Sequence, residues 1–510
     1  MIKEFYEKNK KIFCAGLIFS FLCFGFMLTH YMVNIDEETW LLKDSNSLLW
    51  LFQGRYGLYI YDFLFTKYGR FVPFFSDVVS IVFWNISGFV FAYVFFDFEK
   101  KGHWWIRLIM LCYYSSLPLC MGEAFAFTMQ MIPESFAMIL TAAAFAATVK
   151  PWVKKKKINL ALIIGMLVMA AGVYQALINV YITAVAAWCF CRFLEKDTIK
   201  QGFCRGVFCS IISVAAYYVI NTIIGKAIGT AAYLTDNYIG WNDEQGIGHA
   251  LFMAFANVVR VSFGIKIQDV YIYGAMPLRI LMILFLGVSV CWLFQKKEGI
   301  QRTIAGLFFL GGVVAAPFAT YLAMGTYKTQ GRMLLALSLS GMVEILVIYQ
   351  MLSRKIFQKA AVLVFSGVLA ANASNMNQIY YHSYLVYQQD KVIADEIMDE
   401  IQRLGYDYHS KPVVFIGSKE RDQVPLLRSG TLGGSFFEWD GGNIARLVDF
   451  MELEGYVLSM PSTAQIEEGL ERSKNMQTWP QEGSIVETKD SIVVYLSEPG
   501  EKWYATNLRR

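Results

Sequence analysis

The chain has 510 residues, of which 56% are hydrophobic, 16% aromatic and only 17% charged, with a mean hydropathy of +0.41. Since soluble domains carry about 25% charged residues, this composition excludes an ordinary soluble protein and indicates an integral membrane protein. The net charge of +4 is unevenly distributed, because residues 389–510 contain 21 acidic and 13 basic residues and carry −8. The C-terminal quarter is therefore predicted to be chemically distinct.

Apolar runs long enough to cross a hydrocarbon layer of ~30 Å recur up to residue 378. They lie at residues 12–32, 72–97, 104–121, 124–148, 203–229, 277–295, 302–322, 331–352 and 358–378. A further stretch, 158–194, has basic clusters at both ends, which places both ends in the cytoplasm and requires two crossings. We therefore predict a hairpin broken near Gly172-Val-Tyr-Gln175 and eleven transmembrane helices in total.

The distribution of lysine and arginine predicts the orientation of these spans. About 22 of these residues fall in the loops of one side and about 10 on the opposite side before the tail, and the basic side is expected to be cytoplasmic. The N-terminus is thus predicted inside and the C-terminal tail outside. The first run exceeds a signal-peptide core and lacks an Ala-x-Ala exit, so we expect it to remain as an uncleaved span.

The first outer loop, residues 33–71, carries three successive carboxylates, Asp36, Glu37 and Glu38. The following residues 47–65 are too interrupted to span a membrane but are rich in Trp and Tyr, which predicts helices lying in the interface plane. The acids either cap a span and face water or take part in chemistry.

Other polar residues are predicted on the same outer face. Glu123 lies in Met121-Gly-Glu-Ala124, which joins two spans with almost no loop, and an ionisable group at the membrane boundary indicates function. The remaining ones are Tyr174 and Gln175 at a hairpin tip, and Lys328 and Arg332 at the start of the tenth span. Carboxylates and cations are therefore predicted to converge on one face.

Such a combination suits the transfer of a sugar from a polyprenyl phosphate. The phosphate is already a good leaving group, so no general acid is needed, in contrast to the two-carboxylate glycosidases. One carboxylate must deprotonate the acceptor hydroxyl, which is worth about 10²–10⁴ in rate. Cationic or hydrogen-bonding groups must stabilise the departing phosphate.

Four short motifs resemble those of the GtrII-type glucosyltransferases, which are polytopic enzymes of the GT-C architecture. They are the acidic motif of the first outer loop, Gln53-Gly-Arg-Tyr56, Gly172-Val-Tyr-Gln-Ala176, and the arginine Arg332 at the outer start of a late span. The resemblance covers the layout of most of residues 1–385, which we predict to form a transmembrane catalytic domain.

The resemblance implies transfer of glucose from undecaprenyl-phosphate-glucose to a surface glycan, with inversion, on the outer face of a bacterial cytoplasmic membrane. It maps the catalytic base onto Asp36 or Glu37, although three acids stand where one or two are expected. Arg332, Lys328 and Arg55 are implied to contact the lipid phosphate. A snorkelling role for Arg332 remains the alternative.

Further substrate contacts are predicted from Gln53, Glu123, Tyr174 and Gln175; for Gln53 and the Tyr174-Gln175 pair, polar packing between helices explains the residues equally well. Some relatives of this architecture use a divalent metal. Asp-Glu-Glu alone does not satisfy the coordination number of Mg²⁺, so we expect no metal and no other cofactor.

The tail, residues 386–510, is predicted to be a small extracytoplasmic α/β domain. Residues 390–404 have a helical pattern, residues 412–417 form a strand, Ser462-x-x-Gln465 is a capping box, and residues 484–496 form a hairpin. We expect acceptor docking or structural cover from it rather than catalysis.

The predicted class is thus a mainly α-helical membrane glycosyltransferase whose partners are a lipid-linked sugar, a glycan acceptor and the membrane, and no nucleic acid. A glycan polymerase or ligase is the alternative enzyme, but the loop 230–276 contains few arginines. A lipid-linked sugar transporter is the non-enzymatic alternative, although no pseudo-repeat between halves is evident.

Overall fold

The computed structural model describes residues 2–42, 48–66, 72–229, 240–241, 246–265, 273–296, 299–325, 330–420 and 434–508. Contacts divide the chain into two compact units. The first comprises Met1–Thr29 and Asn46–Ile379, and the second comprises His30–Ser45 and Tyr380–Arg510. The sequence did not indicate that residues 30–45 join the second unit, and the predicted boundary at residue 385 stays a prediction.

The first unit is built of helices. In chain order the α-helices are Ile2–Cys23, Gly25–Thr29, Leu48–Phe52, Tyr56–Tyr61, Pro73–Phe95, Trp104–Tyr114, Pro118–Phe125, Thr128–Val149, Lys156–Val173, Leu177–Leu194, Lys200–Ile228, Gly246–Ser262, Ala275–Gln295, Ile300–Ala315, Ala319–Met324, Ala336–Met351 and Lys355–Arg403. A π-helix at Asp62–Thr66 and 3₁₀ turns at Phe96–Phe98, Ala316–Phe318 and Gly331–Leu334 complete it. The last α-helix continues into the second unit from Tyr380.

Within the described residues, eight helices are long and apolar enough to cross a membrane, and nine if the bent pair Trp104–Tyr114 and Pro118–Phe125 counts as one span. A mainly α-helical membrane protein is therefore confirmed. The predicted number of eleven spans stays a prediction. The first predicted span is divided between Ile2–Cys23 and Gly25–Thr29, and the tenth is the 16-residue helix Ala336–Met351.

The apolar stretch 158–194 forms a helical hairpin, as predicted. Its helices Lys156–Val173 and Leu177–Leu194 are separated at Tyr174, whose backbone is extended. The predicted loop at Met121-Gly-Glu-Ala124 is wrong, because these residues lie inside the helix Pro118–Phe125. The chain bends by 51° before that helix, since Pro118 lacks an amide hydrogen and cannot continue the preceding helix.

Basic side chains bind the carbonyl ends of helices on the side predicted to be cytoplasmic. Lys101 Nζ donates to the carbonyls of Tyr349 and Leu352 at 2.7 and 2.9 Å. Lys150, Arg205 and Arg302 donate in the same way to carbonyls in the last turns of the helices Pro73–Phe95, Thr128–Val149 and Leu177–Leu194. Each cation thereby satisfies an orphan carbonyl and the negative end of a helix dipole.

The second unit contains a three-stranded sheet and several helices. The strand Ile492–Tyr495 lies in the middle, parallel to Val413–Ile416 and antiparallel to Ile485–Glu487. The helices are Glu37–Leu42, Ile444–Leu453, Thr463–Ser473 and Glu501–Asn507, with a 3₁₀ turn at Trp439–Gly441. The capping box of Ser462 and Gln465 is present with both reciprocal hydrogen bonds, so this sequence signal was interpreted correctly.

Candidate active site

The motif Gln53-Gly-Arg-Tyr56 contacts the tip of the helical hairpin. Gln175 Nε2 donates to the carbonyl of Gln53 at 3.0 Å and to Tyr217 Oη at 2.9 Å. Tyr217 Oη in turn donates to the carbonyl of Gly54 at 3.0 Å. Gln53 thus contributes its backbone, and Gln175 fixes the turn that presents Arg55.

Close packing of the Tyr56 ring requires glycine at position 172. A Cβ at Gly172 would lie 2.2 Å from the ring of Tyr56. Tyr56 Oη donates to the carbonyl of Val168 at 2.7 Å, one turn earlier in the same helix. Two of the four motifs on which the resemblance rests therefore form one packed structure, which their separation in sequence did not reveal.

Arg55 projects from this turn into a partly buried position. Its Nη1 donates to Gln130 Oε1 at 2.9 Å. Its guanidinium lies 4.9 Å from the ring centre of Tyr174 and 5.8 Å from that of Trp50. Stacking on aromatic rings holds a guanidinium in a fixed orientation while leaving donors available for an anion.

Arg332 is bound to Glu123 by two hydrogen bonds. Its amide donates to Glu123 Oε2 and its Nη1 to Glu123 Oε1, both at 3.0 Å. The guanidinium also lies 4.5 Å from the ring centre of Phe127. The segment reaches Glu123 because Gly331 allows contact with the helix Pro118–Phe125. The structure therefore brings these two predicted site residues together, whereas Lys328 lies outside the described residues.

A buried carboxylate, Glu134, was missed by the sequence analysis. It is 2% exposed in the helix Thr128–Val149, and the charges of Arg55 and Arg332 both act on it. The charges of Glu134, Arg332, Arg55 and Glu123 all act on Tyr174. An ionisable residue inside an apolar span is the signal that could have found Glu134. Together, Arg55, Glu123, Glu134, Tyr174 and Arg332 form what we term the arginine cluster.

Three buried polar atoms of the described residues in and beside the arginine cluster have no hydrogen-bond partner. They are Glu134 Oε1, Tyr174 Oη and Gln330 Oε1. Because buried polar groups are nearly always satisfied, each exception calls for an explanation such as a bound group. The cluster therefore has the chemistry to bind an anion carrying hydroxyl groups.

The three acids of the predicted first outer loop have different environments in the second unit. Glu37 Oε2 accepts from the amide of Asn34 at 3.1 Å, and only 1% of Glu37 is exposed. Glu38 is fully buried, and its Oε1 accepts from Arg446 Nη1 at 2.5 Å. Asp36 Oδ1 accepts from Arg446 Nη2 at 2.6 Å, while 47% of the Asp36 side chain is exposed. Asp36 alone combines a fixed position with an accessible carboxylate.

The backbone and electrostatics of this loop distinguish Asp36 and Glu38 further. Asp36 has a φ of 81°, a left-handed conformation whose strain is characteristic of functional sites. Burial raises the pKa of Glu38 to about 7, although Arg446 favours its ionised form. Burial lowers the pKa of Arg446, but Asp36 and Glu38 more than offset this and raise it, so Arg446 keeps its charge.

No group of three or more His, Cys, Asp or Glu side chains that could hold a metal ion is found in the part of the chain that the structure describes. The expectation of a metal-independent enzyme stays a prediction.

These features define a polytopic membrane protein with a partly buried cluster of arginines and carboxylates and a loop that carries three successive acids. The family described as Glucosyl transferase GtrII matches residues 25–371, and the chain belongs to this family. The resemblance drawn from the sequence is thereby confirmed, and the protein is a membrane glycosyltransferase. No curated protein and no solved structure matches the chain.

Proposed function

We propose that the protein transfers a glucose-like sugar from a polyprenyl-phosphate donor to a surface glycan on the extracytoplasmic side of a cytoplasmic membrane, with inversion. The observation that carries this proposal is the arginine cluster, which brings together residues from distant motifs and, with the adjacent Gln330, contains three buried polar atoms without a partner among the described residues. Family membership supports the sugar, and the apolar helices support a lipid-linked donor.

In this proposal Arg55 and Arg332 bind the donor phosphate. Both guanidinium groups are partly buried and stacked on aromatic rings, which reduces their hydration and strengthens an electrostatic bond to phosphate. Glu123 orients Arg332, and Gln175 orients the turn bearing Arg55. Glu134 and Tyr174 are assigned to the sugar hydroxyls, because Glu134 Oε1 and Tyr174 Oη are buried and have no hydrogen-bond partner among the described residues.

Asp36 is assigned as the general base. It accepts the proton of the acceptor hydroxyl while the acceptor oxygen bonds to the anomeric carbon of the sugar. The bond between that carbon and the phosphate oxygen breaks, and the lipid phosphate leaves with the electron pair. Attack opposite to the leaving group inverts the anomeric configuration. Glu37 and Glu38 are assigned to the structure of the loop, because both are buried.

The test separates donor binding from turnover in the purified full-length protein. Synthetic polyprenyl-phosphate glucose serves as donor and isolated surface glycan as acceptor. We expect Asp36→Asn to lower kcat by about 10²–10⁴-fold and to retain donor binding. Arg332→Gln and Arg55→Gln are expected to weaken donor binding and to lower kcat by about 10²–10³-fold.

Arg279→Gln is the matched control, because Arg279 is a cation of the first unit that bonds only backbone carbonyls of Phe263 and Gly264 among the bonds described. We expect it to keep donor affinity. Full turnover of Asp36→Asn would show that the base is assigned wrongly. Unchanged donor binding in both arginine variants would contradict the phosphate site.

A further inference from the structure

One guanidinium of the second unit binds two carboxylates of the acidic loop. Arg446 Nη2 bonds Asp36, Nη1 bonds Glu38, and Nε lies 3.7 Å from Asp440 Oδ2. Asp440 is also 3.3 Å from Lys502 Nζ. Arg446 lies beyond residue 371, where the match to the family ends. The acids of the family region are therefore held by a residue outside it.

The position of Arg446 is determined by the helix Ile444–Leu453. Its N-cap, Asn443, accepts from the amides of Ala445 and Arg446 at 3.0 and 3.4 Å. A cation in the first turn opposes the helix dipole, which favours anions at that end. Arg446 thus gains nothing from its own helix, and the carboxylates of the loop supply its favourable interactions.

The contact between the two helices continues one turn further on. Thr39 Oγ1 donates to Asp449 Oδ2 at 3.3 Å. Thr39 lies three residues after Asp36, and Asp449 lies three residues after Arg446. Two parallel points of attachment fix the helix Glu37–Leu42 in rotation as well as in position. Asp36 directly precedes this helix, so its carboxylate is fixed with it.

We propose that Arg446 is a positioning residue for the carboxylate of Asp36, so that the C-terminal region takes part in catalysis. The inference rests on the proposed role of Asp36 as base. A planar guanidinium bonds two carboxylates with fixed geometry, which a flexible ammonium group cannot reproduce. Glu38 serves as the second point of attachment, because its buried carboxylate holds the guanidinium while leaving Asp36 half-exposed.

The experiment compares Arg446→Met and Arg446→Lys in the full-length protein, with Arg472→Met as matched control because Arg472 is an exposed cation of the same unit. We expect Arg446→Met to lower kcat by about 10²-fold, since a misplacement of about 1 Å has that effect. Binding of polyprenyl-phosphate glucose should be unchanged. Arg446→Lys should recover part of the kcat that Arg446→Met loses, and Arg472→Met should keep the full kcat of the unaltered protein.

A double-variant comparison separates positioning from a structural role. Added to Asp36→Asn, Arg446→Met should cause no further loss of kcat, because residues acting as a unit are not additive.

Full turnover of Arg446→Met would overturn the inference, as would a loss of activity that only follows a loss of folded protein. If Asp36→Asn is inactive and Arg446→Met is fully active, the inference alone fails. If Asp36→Asn itself is fully active, both the assignment of Asp36 as the base and the inference about Arg446 are wrong.

Discussion

The contact of Gly331 with the helix Pro118–Phe125 makes a sharp prediction for the substitution Gly331→Ala. A Cβ at this position would lie 2.2 Å from the carbonyl oxygen of Leu119 and 2.9 Å from Glu123 Oε2. The first of these atoms belongs to the backbone of a helix and cannot move alone. The segment that carries Arg332 must therefore move away from Glu123.

The size of this movement follows from ordinary contact distances. A Cβ atom makes ordinary contacts with other heavy atoms at 3.4 Å or more, whereas this one would lie 2.2 Å from the Leu119 oxygen, so the backbone of residue 331 must shift by roughly 1 Å. The two bonds between Arg332 and Glu123 measure 3.0 Å and would be lengthened beyond hydrogen-bond distance. A shift of that size lowers turnover by about 10²-fold, and the overpacking costs about 1–3 kcal/mol of stability.

The assay measures sugar transfer from synthetic polyprenyl-phosphate glucose, together with thermal unfolding in the same detergent. Gly165→Ala is the matched control, because a Cβ at Gly165 meets no atom within 4 Å and alanine favours the helix by about 1 kcal/mol. If Gly331→Ala keeps the turnover of Gly165→Ala, the contact between Arg332 and Glu123 is not needed for transfer and the reasoning is refuted.

Two further predictions concern the buried carboxylates. Glu134→Gln removes an anion that competes with phosphate for Arg55 and Arg332, so we expect polyprenyl phosphate to bind about tenfold more tightly, equivalent to ~1.4 kcal/mol; equal or weaker binding in a direct titration would show that Glu134 does not compete with phosphate. Burial raises the pKa of Glu38 from 4.5 to about 7, so the folded protein binds this proton more tightly than the unfolded chain, and the free energy of unfolding should fall as the pH rises between these values. Glu38→Gln should show a smaller fall when unfolding is followed from about pH 5 to about pH 8, and an identical pH dependence in both proteins would refute the prediction.

The sequence predicted the elements whose signals are local. The hairpin broken after Gly172 followed from basic clusters at both ends, and the capping box of Ser462 followed from the spacing of its residues. The capping box depends only on residues within one helical turn. The hairpin depends on the rule that basic loops stay in the cytoplasm. Neither signal depends on tertiary contacts with distant parts of the chain.

The sequence could not predict contacts between distant parts of the chain. Nothing in the neighbourhood of Arg446 indicates that its partners are Asp36 and Glu38, because that pairing depends on the packing of two helices about 400 residues apart in sequence. The helical state of Met121-Gly-Glu-Ala124 was also missed, since a short loop between spans and a bend at Pro118 have the same composition. Glu134 escaped notice because one carboxylate hardly changes the hydropathy of its span.

The lysines and arginines that bind helix carbonyls have a consequence for protein engineering. The same side chains that are expected to direct insertion during synthesis also remain in the finished structure as helix stops. A variant designed to invert the chain by neutralising Lys101, Lys150 and Arg205 would therefore lose tertiary stability at the same time as its orientation signal. Charge swaps meant to probe membrane topology in this protein need a companion measurement of folding, because the two effects share their residues.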